Sequence, residues 1–152
     1  NRFIIRANES IGRVPGKVLW GSSTFSLKAG EKVALIGPNG SGKTSLIKKI
    51  LQGDDRIGIL PAIKTGYFSQ DLSMLDVSRT ILDNVKDAAV QSETLIRIVL
   101  AQLNFKDDAV HKLVSVLSGG ERVKVSLAKL LVGNYNTLIL DEPTNFRYLH
   151  AV

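Results

Sequence analysis

The chain contains no cysteine, which excludes a disulfide framework and any thiolate metal site. No apolar run reaches the roughly 20 residues that a membrane-crossing helix needs, so no membrane insertion is expected. Asn1 opens no signal-peptide pattern. Histidine is scarce as well, and His111 belongs to no histidine-and-carboxylate pattern that marks a metal site, so a surface or helix-end place is expected of it and no zinc. These absences fit a cytoplasmic protein, in which Asn8-Glu9-Ser10 is an accidental match to a glycosylation site.

What is present is concentrated in a few short runs. The first is GPNGSGKT, Gly37 to Thr44. Before it, Lys32 to Ile36 reads as a short buried strand; after it, Ser45 to Ile50 continues as a helix, the strand-loop-helix setting of a phosphate-binding loop. Gly37, Gly40 and Gly42 can adopt backbone angles denied to other residues. The amides of Gly37, Pro38-Asn39, Gly40, Ser41 and Gly42 (proline supplying none) can then turn inward at the positive end of the helix. Lys43 would hold β- and γ-phosphates, Thr44 would place its hydroxyl on magnesium, and Ser45 completes the nucleotide cradle. The competing reading is a plain glycine- and serine-rich surface turn.

A second run, Thr137-Leu138-Ile139-Leu140, is an apolar strand ending in Asp141-Glu142. Strand alternation aims the two acids differently. Asp141 can therefore meet the magnesium shell while Glu142 faces a water beside the γ-phosphate, as general base or water-orienting group. A solvated acidic turn before Pro143 is the alternative.

Between the two lies Leu117-Ser118-Gly119-Gly120-Glu121. Val123, Leu127, Leu130 and Leu131 follow at spacings that suit one buried helical face. Ser118, Gly119 and Gly120 offer a second anion-binding helix start, or an ordinary loop-to-helix cap.

Together these runs resemble the nucleotide-binding cassette of the ABC ATPases: Walker A at 37–44, signature at 117–121, Walker B at 137–142. Gln70 matches that family's Q-loop glutamine. The resemblance extends from Phe3 to Asn145. It implies an α/β P-loop nucleotide-binding domain, ATP and Mg2+ as cofactors, and ATP hydrolysis to ADP and phosphate. It also implies a head-to-tail sandwich with a second ABC cassette, in the same or another chain. In that sandwich Lys43, Thr44, Gln70, Asp141 and Glu142 serve one site, with Thr44, Gln70 and Asp141 around the metal. Ser118, Gly119 and Gly120 complete the other site, so one isolated cassette should hydrolyse poorly.

Within the superfamily, Gly66-Tyr67-Phe68-Ser69-Gln70, the string LSGGERVKVSLAKLL from 117 to 131 and LILDEPTNF from 138 to 146 resemble the ABC-F class, soluble twin-cassette proteins many of which act on ribosomes. The short 53–65 segment leaves little room for the broad β-subdomain of transporter cassettes. The wording is closest to the second cassette of the antibiotic-resistance branch. That resemblance implies ATP-dependent association with the ribosome and release of a bound antibiotic. The 20 basic and 14 acidic residues give a net charge of +6, compatible with ribosomal RNA and equally with an ordinary surface; no specific contact is assigned to Lys48, Lys49, Lys124 or Lys129. Two alternatives stay open: an ATPase subunit of a membrane transporter, and a catalytically weak nucleotide-dependent assembly module.

The remaining chain is expected to form a small N-terminal β region, with strands at Phe3–Ile5 and Lys17–Trp20 separated by Gly12 and Pro15. A helical subdomain is expected over 77–116, broken at 104–112. The whole, residues 1–152, reads as a single but incomplete cassette, its C-terminal part missing. Arg147-Tyr148-Leu149 stands where the family has Leu-Asp, and His150 lies too near Glu142 to be the switch histidine. The family's adenine-stacking aromatic has no match near Gly12-Arg13-Val14-Pro15. Trp20, Tyr67 and Phe68 are read instead as packing residues.

Overall fold

The computed structural model describes residues 2–68 and 72–141. Two compact units divide the chain at Ile63 and Lys64, and each is built around its own elements.

In the first unit, β1 (Phe3–Val14) and β2 (Lys17–Lys28) form an antiparallel hairpin, and β3 (Ile57–Ile59) pairs antiparallel with β1 to give the order β2-β1-β3. The expected strands at Phe3–Ile5 and Lys17–Trp20 are therefore the ends of two much longer ones. Pro15-Gly16 makes the turn: proline presets φ near −65° and Gly16 takes φ +77°, the combination of a type II turn. Gly12 does not separate strands; it lies within β1, opposite Trp20. Ile5 and Ala7 point into the core, and register shifts around Glu9 (φ +48°) let Ser10 take over the inward position.

Helix α1 (Lys43–Gln52) buries Ile47 and Ile50 and ends at Gly53, φ +80°. Lys49 in its last turn donates to the Ile11 carbonyl and to Asp54 Oδ2, both at 2.9 Å. The Arg56 backbone N–H and the Lys49 ammonium hold the Asp54 carboxyl below its ordinary range. The expected strand over 32–36 is a departure: residues 31–38 have no strand pairing, and Val33, Leu35 and Ile36 are exposed. An apolar run becomes a strand only where a neighbouring strand takes its N–H and C=O groups, and no strand of the first unit does so.

The second unit places β4 (Thr65–Phe68) parallel to β5 (Thr137–Leu140), against a helical core. The expected 77–116 region resolves into α2 (Ile81–Ala88), α3 (Glu93–Gln102) and two 3-10 turns at Asp107–His111 and Val114–Val116. Thr80 and Ser92 cap α2 and α3 by accepting from Asp83 N and Leu95 N. His111 closes the first 3-10 turn. Ile81, Val85, Leu100, Val110, Val114 and Val125 form the fully buried centre.

Helix α4 (Gly119–Val132) packs on α2 and α3 on one side and on β4 on the other. Of its expected apolar face, Leu127 is buried and Val123 and Leu130 are half-buried, but Leu131 is exposed. Val125, Ala128 and Val132 carry the inward face instead, because two packed sides leave only a narrow outer stripe, on which Leu131 falls.

Candidate nucleotide-binding site

The loop 37–42 owes its shape to two left-handed glycines, Gly40 at φ +77° and Gly42 at φ +99°, angles that cost an L side chain free energy. Ser41 N closes a turn on the Pro38 carbonyl at 3.2 Å, and Gly42 serves as N-cap of α1, its carbonyl accepting from Leu46 N at 2.9 Å. No side chain caps that helix and no acid stands in its first turn. Its leading amides therefore keep the partial positive charge that suits an oxyanion. A Cβ on Gly37 would lie 2.8 Å from Ser41 Oγ, so a side chain there would turn the Ser41 hydroxyl aside. The Lys43 ammonium donates to the carbonyls of Gly37 (2.6 Å) and Pro38 (2.9 Å), folding its stem back over the loop. Thr44 and Ser45 follow in the first turn of α1.

In the second unit the acid predicted for the metal lies at the end of β5. Asp141 is 7% exposed, its N–H donates to the Phe68 carbonyl, and its Oδ2 accepts from Tyr67 Oη at 2.9 Å. Tyr67 is the residue that sequence reasoning assigned to packing and so missed as a partner. Only the parallel register of β4 and β5, with Tyr67 opposite Ile139, brings the phenol to the acid. Phe68 is buried, as read from the sequence. Gln70 and Glu142 lie outside the described residues.

Ser118 caps α4 in a reciprocal capping box: Glu121 N donates to Ser118 Oγ (3.2 Å) and Ser118 N to Glu121 Oε1 (3.1 Å). The Ser118 backbone N–H, and after it the Ser118 side chain, hold the Glu121 carboxyl below its ordinary range. Gly119 and Gly120 form the first turn behind that cap, with open space where a Cβ on Gly119 would stand. Sequence reasoning also missed Lys17, whose ammonium reaches the Gly40 carbonyl at 3.5 Å, and the seat of Trp20 on Gly42. Neither has a signal without the hairpin register.

A left-handed glycine loop opening an uncapped helix, a buried acid at a parallel strand end and a serine-capped signature helix define an ABC-type nucleotide-binding domain. The sequence profile of the ABC transporter family matches residues 21–145, and the chain belongs to that family. Its α/β P-loop architecture, with a small N-terminal β region and a helical subdomain, is typical of ATP-hydrolysing ABC ATPases. It is 34% identical to ABC transporter F family member 2 of Arabidopsis thaliana, over 95% of this chain and 22% of that protein. It is 40% identical to the erythromycin resistance ATP-binding protein MsrA of Staphylococcus epidermidis, over 80% of this chain and 25% of that protein. The chain thus spans about a fifth of the length of the curated relatives it matches. The solved structure of cbiO1 from Clostridium perfringens, part of the ABC transporter complex cbiONQ, shares the fold at a TM-score of 0.73 and 22% identity, covering 95% of this chain and 67% of that one. Relatives and structural neighbours include both F-family and transporter proteins; the family is shared by both branches. Among the described residues no helix is long and apolar enough to cross a membrane.

Proposed function

We propose that this chain is the ATP-binding cassette of an ABC-F ATPase that acts on the ribosome. The observation that carries the nucleotide reading is the loop 37–44, with two left-handed glycines aiming uncapped helix amides beside Lys43. These groups fit a triphosphate: amides and an ammonium compensate its charge, and no bulky side chain intrudes. Lys43 is assigned to the β/γ-phosphates, and Gly37 through Ser45 to the cradle around them.

The donor set also fits magnesium, which prefers hard oxygen ligands. The Thr44 hydroxyl, the Gln70 amide oxygen and the Asp141 carboxylate would hold it, and the bound ion would offset charge between the terminal phosphates. Tyr67 orients the Asp141 carboxylate by donating to its Oδ2. Glu142 is assigned the general-base or water-orienting role, and Ser118, Gly119 and Gly120 the completion of a second cassette's site. Residues 1–152 are assigned to one cassette, with 77–116 as its helical subdomain, in a cytoplasmic protein.

The similarity to F-family proteins and to an erythromycin resistance protein supports the ribosomal reading, including displacement of a bound antibiotic. The shared fold with part of a transporter complex supports a second reading, an ATPase subunit coupled to a membrane partner. Co-sedimentation with ribosomes tests the choice. The Glu142→Gln protein, which binds ATP without turning it over, is expected to pellet with ribosomes only when ATP is present. Intact ATP binding without ATP-dependent pelleting would favour the transporter reading.

A further inference from the structure

Gly12 and Trp20 face each other across the β1-β2 hairpin. A Cβ on Gly12 would lie 2.1 Å from Trp20 Cε3 and 2.2 Å from Cζ3; one on Gly42 would lie 3.1 Å and 3.0 Å from the same two atoms. One edge of the indole is thus inserted between strand β1 and the N-cap of α1. Leu19 Cβ, 2.9 Å from the same Gly42 position, and Lys17 at the Gly40 carbonyl extend the contact along the loop. All these residues belong to the first compact unit.

Gly42 needs such support. It holds φ +99° without a side-chain cap, and a glycine explores more backbone space than any other residue. A free Gly42 would let the first turn of α1 swing, together with the amides and the Lys43 stem that follow it. The indole edge restricts that swing from the hairpin side, and glycine at position 12 is what lets the ring sit so close.

We propose that Trp20 is a positioning residue for nucleotide binding: its indole braces Gly42 and thereby sets the direction in which the loop presents its amides and Lys43 to a nucleoside triphosphate. This rests on the phosphate-loop reading above. Trp20 acts through Gly42 and touches no phosphate itself. Because the indole lies against the loop, a change in the loop on nucleotide binding changes the ring's surroundings.

Trp20 is the one tryptophan of the chain, so its emission reports on that position alone. The test is a titration of the purified protein with Mg-ATP, followed in parallel by calorimetry and by indole emission. The emission is expected to shift and to saturate with the calorimetric dissociation constant. Trp20→Ala should weaken binding about tenfold, the loss of roughly one charge-assisted hydrogen bond's alignment, and Trp20→Phe should recover most of it. Gly12→Ala, whose new Cβ displaces the ring while retaining it, should weaken binding in the same direction. Emission that stays flat through calorimetric saturation, or unchanged affinity in a folded Trp20→Ala protein, would overturn the proposal and leave the nucleotide reading standing. A wild-type protein that gives no nucleotide heat would overturn that reading and the proposal with it.

Discussion

Replacing Asn84 by alanine should unfold the helical unit early, and the size of the loss follows from its bonds. Asn84 is 1% exposed. Its Oδ1 accepts from Asp76 N at 2.8 Å, and its Nδ2 donates to the carbonyls of Asp76 and Thr80, both at 2.9 Å. The side chain thereby pins the turn 76–80 onto the first turn of α2. After truncation the Thr80 carbonyl keeps the Asn84 backbone N–H and the Asp76 carbonyl keeps Arg79 N. Only Asp76 N is orphaned, and Asp76 lies at the surface, where water reaches it. Three hydrogen bonds at about 1 kcal/mol each give about 3 kcal/mol, with no further desolvation cost. For a unit of this size that is a drop of roughly 12–24 °C in melting temperature. Asn84→Asp should lose more at neutral pH, because it turns a second anionic oxygen towards two carbonyls, and should regain part of the loss in acid. Thermal melts followed by helical circular dichroism make the comparison. A change below about 0.5 kcal/mol for Asn84→Ala, the range of an ordinary surface substitution, would refute the reasoning.

The cap of α4 should be acid-sensitive. The Glu121 carboxyl is held below its ordinary range, so its contribution is complete above the unfolded value, near 4.3, and is lost as pH falls through the lower folded value. Melts of wild type and Glu121→Gln should therefore differ at pH 7 and converge as the pH falls below about 4; a constant gap would contradict the assignment. Ser118→Ala removes the other half of the box and should cost about 1 kcal/mol in the same melts. The two left-handed glycines should respond unequally. Gly40→Ala meets open space and bears only the backbone cost of roughly 1–2 kcal/mol. Gly42→Ala adds contacts of 2.9 Å and 3.0 Å with Leu19 and Trp20, an overpacking cost of about 1–3 kcal/mol more. Equal losses in stability would argue against the observed seat of the indole.

The parts of this molecule written in local chemistry could be read from the sequence. Glycine freedom at Gly40 and Gly42, the helix opening at Lys43, the serine cap at 118 and the acid closing an apolar strand at 141 all depend on neighbours in the chain. Pairing across distance could not be read. Gly12 looked like a strand breaker because nothing local shows that Trp20 lies over it. Tyr67 looked like packing because its partner is 74 residues away on another strand. The run 32–36 looked like a buried strand because its composition suits one, yet hydrogen-bond partners, not composition, make a strand. Leu131 fell outside the buried face because a helix packed on two sides obeys no single apolar stripe.

Nucleotide binding is assigned to the loop 37–44, and one calorimetric titration of Mg-ATP against wild-type and Lys43→Ala protein tests it. Saturable binding by the wild type, lost in a Lys43→Ala protein with an unchanged melting temperature, is the expected result. Undiminished affinity in Lys43→Ala, or no binding by the folded wild type, would contradict the assignment of this loop to nucleotide phosphates.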